Sequence, residues 1–109
     1  MKYDLFISYS RDDIKQVIPI KEEIEHATGA NCRMDLDGIE SGQLFKRVII
    51  SAINRSGTLL FMLSNKSMRS EWALDELDFA KKKEKRLVIV HLEDVEQTDE
   101  FYFTYHKYY

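Results

Sequence analysis

A chain of 109 residues with 44% hydrophobic and 32% charged side chains has enough apolar surface for one core and too little length for a second, so a single domain over residues 1–109 is expected and a disordered chain is excluded. The formal charge of −3, with basic residues scattered or local (Lys81, Lys82, Lys83, Lys85, Arg86), speaks against nucleic acid as a partner, and no apolar run approaches the about 20 residues of a membrane span. Cys32 is the only cysteine, which rules out an internal disulfide or a thiolate cluster, and the absence of a signal-peptide pattern makes the cytoplasm the expected compartment.

Tyr3 to Ser8 (YDLFIS) is an apolar run too short for a helix and is followed by the polar Tyr9, Ser10, Arg11, Asp12 and Asp13, which reads as strand, then loop. Ile14, Val17, Ile18, Ile24 and Ala27 recur at helical spacing, and Gly29 stands where a left-handed cap belongs. Pro19 falls inside this pattern, so the helix either starts late with proline in its first turn or is kinked there. Asn31 to Met34 is a minimal second strand, in which Cys32 reads as a small buried apolar residue, and Asp35 to Gly42 form a polar, glycine-punctuated loop.

Leu44, Phe45, Val48, Ile49, Ala52 and Ile53 mark an amphipathic second helix with Ser41 available as its cap. Gly57 to Leu63 (GTLLFML) reads as a strand buried on both faces, ended by Ser64 and Asn65. Ser70 can cap a third helix carrying Trp72, Leu74, Leu77, Phe79 and Ala80 and ending in lysines, and Leu87 to Leu92 form a fourth strand. Strands alternating with helices predict an α/β fold, a parallel sheet with right-handed crossovers. Residues 93–109, acidic and then aromatic without a clear period, read as an irregular tail, truncated or fused onward.

In open α/β sheets ligands bind at the carboxyl ends of the strands, where Ser8, Tyr9, Ser10, Arg11, the Asp35 to Gly42 loop and Ser64 collect. Trp72 and Glu76 are four apart, so a helix sets an indole beside a carboxylate on one face. That pair suits a flat ring to be stacked and ribose hydroxyls or a cationic anomeric carbon to be bound. Plain core packing for Trp72 and a solvated helix position for Glu76 satisfy the same spacing. GxGxxG, GxxxxGK[ST], GxSxG and HExxH are all absent. His26, His91 and His106 lack ligand spacing, and no metal is expected. Asp12 and Asp13 suggest a phosphoacceptor pair, but that chemistry needs a lysine at the end of a later strand, where His91, Leu92 and Glu93 stand instead.

The words YDLFISYSRDD, DLDGIESGQLF, AINRSGTLLFMLS and SEWALDEL, in this order, together resemble a TIR domain, the Toll/interleukin-1 receptor type, most closely the bacterial ones. The resemblance covers residue 3 to about 92 and implies a flavodoxin-like parallel sheet with helices on both faces. It departs from the family in lacking the last strand and helix. It implies NAD+ as substrate rather than cofactor, with Glu76 of the Trp-x-x-x-Glu motif catalytic and Trp72 beside it. It further implies that Ser8, Tyr9, Ser10 and Arg11 line one side of the cleft, with Ser64 at the next strand end. Asp37, Glu40, Gly42, Leu44 and Phe45 would border the nucleotide and make contacts between protomers. The products would be nicotinamide and ADP-ribose or a cyclic ADP-ribose, in bacterial antiviral defence or signalling, with self-association and a fused or separate sensor. The alternative is a TIR to TIR interaction module without turnover.

Overall fold

The computed structural model describes residues 3–34 and 43–109, with 43–45 as backbone. The elements are β1 (Tyr3–Ser8), α1 (Ile14–Thr28), β2 (Cys32–Met34), α2 (Gln43–Asn54), β3 (Ser56–Leu63), α3 (Glu71–Lys82), β4 (Arg86–His91) and α4 (Asp99–Tyr105). Among the described residues the strands form one parallel sheet of four, in the order β2-β1-β3-β4. This is the expected flavodoxin-like arrangement. The chain runs from β1 outward to β2 and then crosses to β3 on the other side, so the strand order reverses between β1 and β3, the place where such sheets bind ligands.

The uninterrupted apolar run of β3 answers to its central place. Leu59, Phe61 and Leu63 enter the core beneath α2, α3 and α4, while Leu60 and Met62 enter the core beneath α1. The same alternation sends Phe6 of β1 to the first core and Ile7 to the second.

Two helix ends follow their sequence signals. Gly29 takes φ of 71° after α1 and its amide donates to the Glu25 carbonyl at 2.8 Å, a backbone position that favours glycine. The Ser70 hydroxyl accepts from the Ala73 amide at 3.1 Å at the start of α3. Of the two sequence alternatives for Pro19, the late start is not what occurs. The helix begins at Ile14, after a single 3-10 turn at Arg11–Asp13, and proline lies inside it, in its second turn. Pro19 is exposed, so the carbonyl one turn earlier that loses its amide donor is left to water.

The tail is also corrected. Residues Asp99–Tyr105 form α4, capped by the Thr98 hydroxyl, which accepts from the Phe101 amide at 3.1 Å. Phe101 and Tyr105, four apart, are buried, and Phe101 meets Phe61 with ring centroids 6.2 Å apart. The Tyr105 hydroxyl donates to the Asp78 carboxylate on α3.

Burial, reinforced by the Asp78 carboxylate, pushes the Tyr105 phenol well above its usual value of 10. The folded state therefore favours the protonated phenol. That stabilisation is complete below the unfolded value and is lost as pH rises above about 10. Tyr105→Phe is expected to cost about 1 kcal/mol at neutral pH and to flatten the alkaline fall in stability, as read from urea midpoints measured between pH 8 and about 11.

Candidate active site

The site is built from two facing helix flanks. On α3 the side chains of Trp72, Asp75, Glu76 and Phe79 share one face, and on α2 those of Lys46, Ile49, Ile50 and Ile53 share another, both at the spacing of successive turns. Between them lies a cavity of about 320 Å³, at the lower end of volumes for small-molecule sites.

Glu76 is 6% exposed. A carboxylate so placed is costly unless hydrogen-bonded, and the partner comes from the sheet: Ser8 Oγ donates to Glu76 Oε1 at 2.8 Å and also lies 3.2 Å from the Ala73 carbonyl. The end of β1 is thus tied to α3 at the point where strand order reverses. Trp72 packs against the α2–α3 core and also lines the cavity.

Ser8, Trp72 and Glu76 come together; the other expected residues divide. Tyr9 does not join them. Its ring is buried with Val17, Cys32 and Met34 beneath α1, because consecutive residues leaving a strand point to opposite faces. Ser10 is buried beside it, its carbonyl accepting from the Asp13 amide at 2.8 Å. Arg11 is exposed at the first position of the 3-10 turn.

Ser64 is 1% exposed and engaged with protein: its hydroxyl donates to Asp13 and accepts from the Ser67 amide at 3.0 Å, and its own amide donates to Ser67 Oγ at 2.8 Å. It joins the end of β3 to the start of α1 instead of facing the cavity. Leu44 and Phe45 lie in the first turn of α2, and Asp37, Glu40 and Gly42 fall outside the described residues.

The paired acids also part company. Asp13 is turned inward to Ser64, while Asp12 stays in water 3.9 Å from Lys66 Nζ. No cluster of three or more side chains suited to a metal occurs among the described residues.

Lys46, Ile50 and Asp75 line the cavity without having been singled out from the sequence. The signal for Lys46 and Ile50 is present, since with Ile49 and Ile53 they complete an i, i+3, i+4, i+7 stripe along one face of α2.

Among the described residues no helix is long and apolar enough to cross a membrane. No curated protein matches the chain. Solved structures do. The TIR domain of the Toll-related receptor TRR-2 from Hydra magnipapillata shares 19% identity at a TM-score of 0.79, over 92% of this chain and 78% of that one. A metazoan TIR-STING receptor from C. gigas shares 28% at 0.69, over 86% of this chain and 32% of the receptor. The TIR domains of the activated Roq1 resistosome, which directly recognises the pathogen effector XopQ, share 24% at 0.65, over 83% of this chain and 57% of that one. The sequence profile of the TIR domain matches residues 5–108, and the chain belongs to the TIR domain family.

Proposed function

We propose that this domain cleaves NAD+ between nicotinamide and ribose, with Glu76 as the catalytic carboxylate. The observation that carries the reading is the setting of Glu76, almost buried, anchored by Ser8 and forming one wall of a cavity lined also by Trp72, Phe79 and three isoleucines of α2, with Lys46 and Asp75 at its charged positions. An anion held in so dry a place acts strongly on positive charge that develops beside it, and needs no reorganisation when it does.

The bond that breaks joins the ribose anomeric carbon to the pyridinium nitrogen. Both electrons pass to nitrogen, nicotinamide leaves neutral, and positive charge moves onto the anomeric carbon and ring oxygen, where Glu76 stabilises it. Water then adds to the anomeric carbon and gives up a proton, leaving ADP-ribose; attack by an adenine nitrogen instead gives a cyclic ADP-ribose. Little acid catalysis is needed, because the leaving group already carries its positive charge. The nicotinamide ribose end would occupy the cavity against Trp72, and Arg11, exposed beyond the end of β1, is the cation proposed for the pyrophosphate.

A second reading, assembly through TIR to TIR contacts without turnover, draws on the exposed Ile50 and Phe103 and on the resistosome named for one structural neighbour. A signalling role fits either reading, and a fused or separate sensor would supply the trigger. Incubation of the concentrated protein with NAD+, with products separated by chromatography, distinguishes them. Nicotinamide released by the parent and lost in a folded Glu76→Gln variant is the result expected. No release by the parent establishes the non-catalytic module, and equal release by the variant overturns Glu76 as the catalytic carboxylate.

A further inference from the structure

A second cavity, also about 320 Å³, opens between Tyr3 at the start of β1, the edge strand β2 and the outer flank of α2. Tyr3 stands at the first position of β1 and Ser8 at the last, and Arg33 pairs with Phe6 between them, so the cavity lies along the β2 side of the sheet, and none of its lining residues lines the Glu76 cavity. Its cationic lining comes from Arg33, Arg47 and Arg55, with Tyr3 and Ser51 between them and no carboxylate among the lining residues.

Each arginine has a definite reason to be there. Arg47, Ser51 and Arg55 follow one another at four-residue steps, and the Arg55 amide donates to the Ser51 carbonyl at 3.0 Å, so the helical path of α2 continues to Arg55 and holds the three on one flank. Arg33 is the middle residue of β2. Cys32 and Met34 are buried beneath α1, so alternation turns Arg33 toward α2. Its guanidinium lies over the Tyr3 ring, 5.8 Å from the centroid, a cation–π contact that fixes its position.

Arg33 Nε is buried with no hydrogen-bond partner among the described residues, a donor left waiting for an acceptor. Like charges gathered around one cavity in a chain of net charge −3 repel one another until an anion enters. Guanidinium forks match the oxygens of phosphate in shape and charge. The concave shape suits a small molecule, and the acidic chain as a whole disfavours a polyanion.

We propose that Arg33, Arg47 and Arg55 form a binding site for a small phosphorylated anion carrying one or two phosphate groups, separate from the Glu76 pocket. Arg47 and Arg55 are exposed and their replacement leaves the core untouched.

The test is calorimetric titration of the whole chain with inorganic pyrophosphate at fixed ionic strength, in the parent, in Arg47→Gln, in Arg55→Gln and in Lys81→Gln, which makes the same charge change on α3. Saturable one-site binding is expected in the parent, weakened by about tenfold or more in either arginine variant and by less than about twofold in Lys81→Gln. Absence of saturable binding, equal weakening in all three variants, or undiminished binding in both arginine variants overturns the proposal. A parallel titration with ADP distinguishes the sources: tighter binding than pyrophosphate assigns the site to a nucleotide phosphate, and equal or weaker binding assigns it to the inorganic anion. Retention of pyrophosphate binding in Glu76→Gln is expected whatever becomes of NAD+ cleavage, so the two readings fail separately.

Discussion

Glu76→Gln is expected to release nicotinamide about 10²- to 10³-fold more slowly than the parent while unfolding at the same temperature or a higher one. The two effects separate because they rest on different properties of one side chain. Glutamine is nearly isosteric with glutamate, and its Oε1 still accepts from Ser8 Oγ, which in the parent lies 2.8 Å from the carboxylate. What disappears is the charge, which is costly to keep at a site 6% exposed and is therefore a burden on the folded state unless a substrate uses it. Ser8→Ala produces the converse pattern. It leaves a buried carboxylate oxygen short of its donor and is expected to lower stability by about 1–3 kcal/mol, with turnover reduced less than in Glu76→Gln. Turnover by chromatography and unfolding by circular dichroism, on the same preparations, check both. A Glu76→Gln protein that unfolds at a much lower temperature would make Glu76 a structural residue.

Phe61→Ala is expected to remove about 3–5 kcal/mol of stability, a large share of the about 5–15 kcal/mol available to a domain. Phe61 is fully buried in β3, paired with Ser8 of β1 on one side and Ile89 of β4 on the other, and its ring meets Phe101 of α4. Truncation opens a void bounded by the sheet and a short terminal helix. Of these, α4 keeps its tie to α3 through Tyr105 and Asp78 but loses the aromatic contact of Phe101 with the sheet. A fall in the thermal midpoint of more than about 15 °C is the expected reading, and a shift of only a few degrees would show that α3 and α4 close over the void.

Much of this was legible in the sequence because the signals were local. The αL glycine, the Ser70 cap and the doubly buried β3 run each follow from a few adjacent residues, and Glu76 beside Trp72 follows from helical spacing alone. The direction of Ser8 and Tyr9 was not legible for a definite reason. β1 is apolar on both faces, with Phe6 and Ile7 equally buried, so alternation carries no mark of which face belongs to the cavity. The contact of Ser64 with Asp13 joins residues 51 apart in the chain, and the meeting of Arg33 with Arg47 depends on the crossover from β2 to α2. Neither leaves a trace in the sequence pattern around it. The tail concealed α4 because only Phe101 and Tyr105 of its crowded aromatics turn inward.

The strand order has a kinetic consequence. β1 lies inside the sheet, yet one of its neighbours, β3, follows more than fifty positions later, with Tyr3 opposite Ser56. Each such pairing must close a long loop before its contacts repay the closure, which slows folding relative to a helical protein of equal size. On the ribosome β1 and β2 emerge first, and the apolar flank of β1 stays bare until β3 arrives. The interval between those two events is when this chain is most exposed to aggregation.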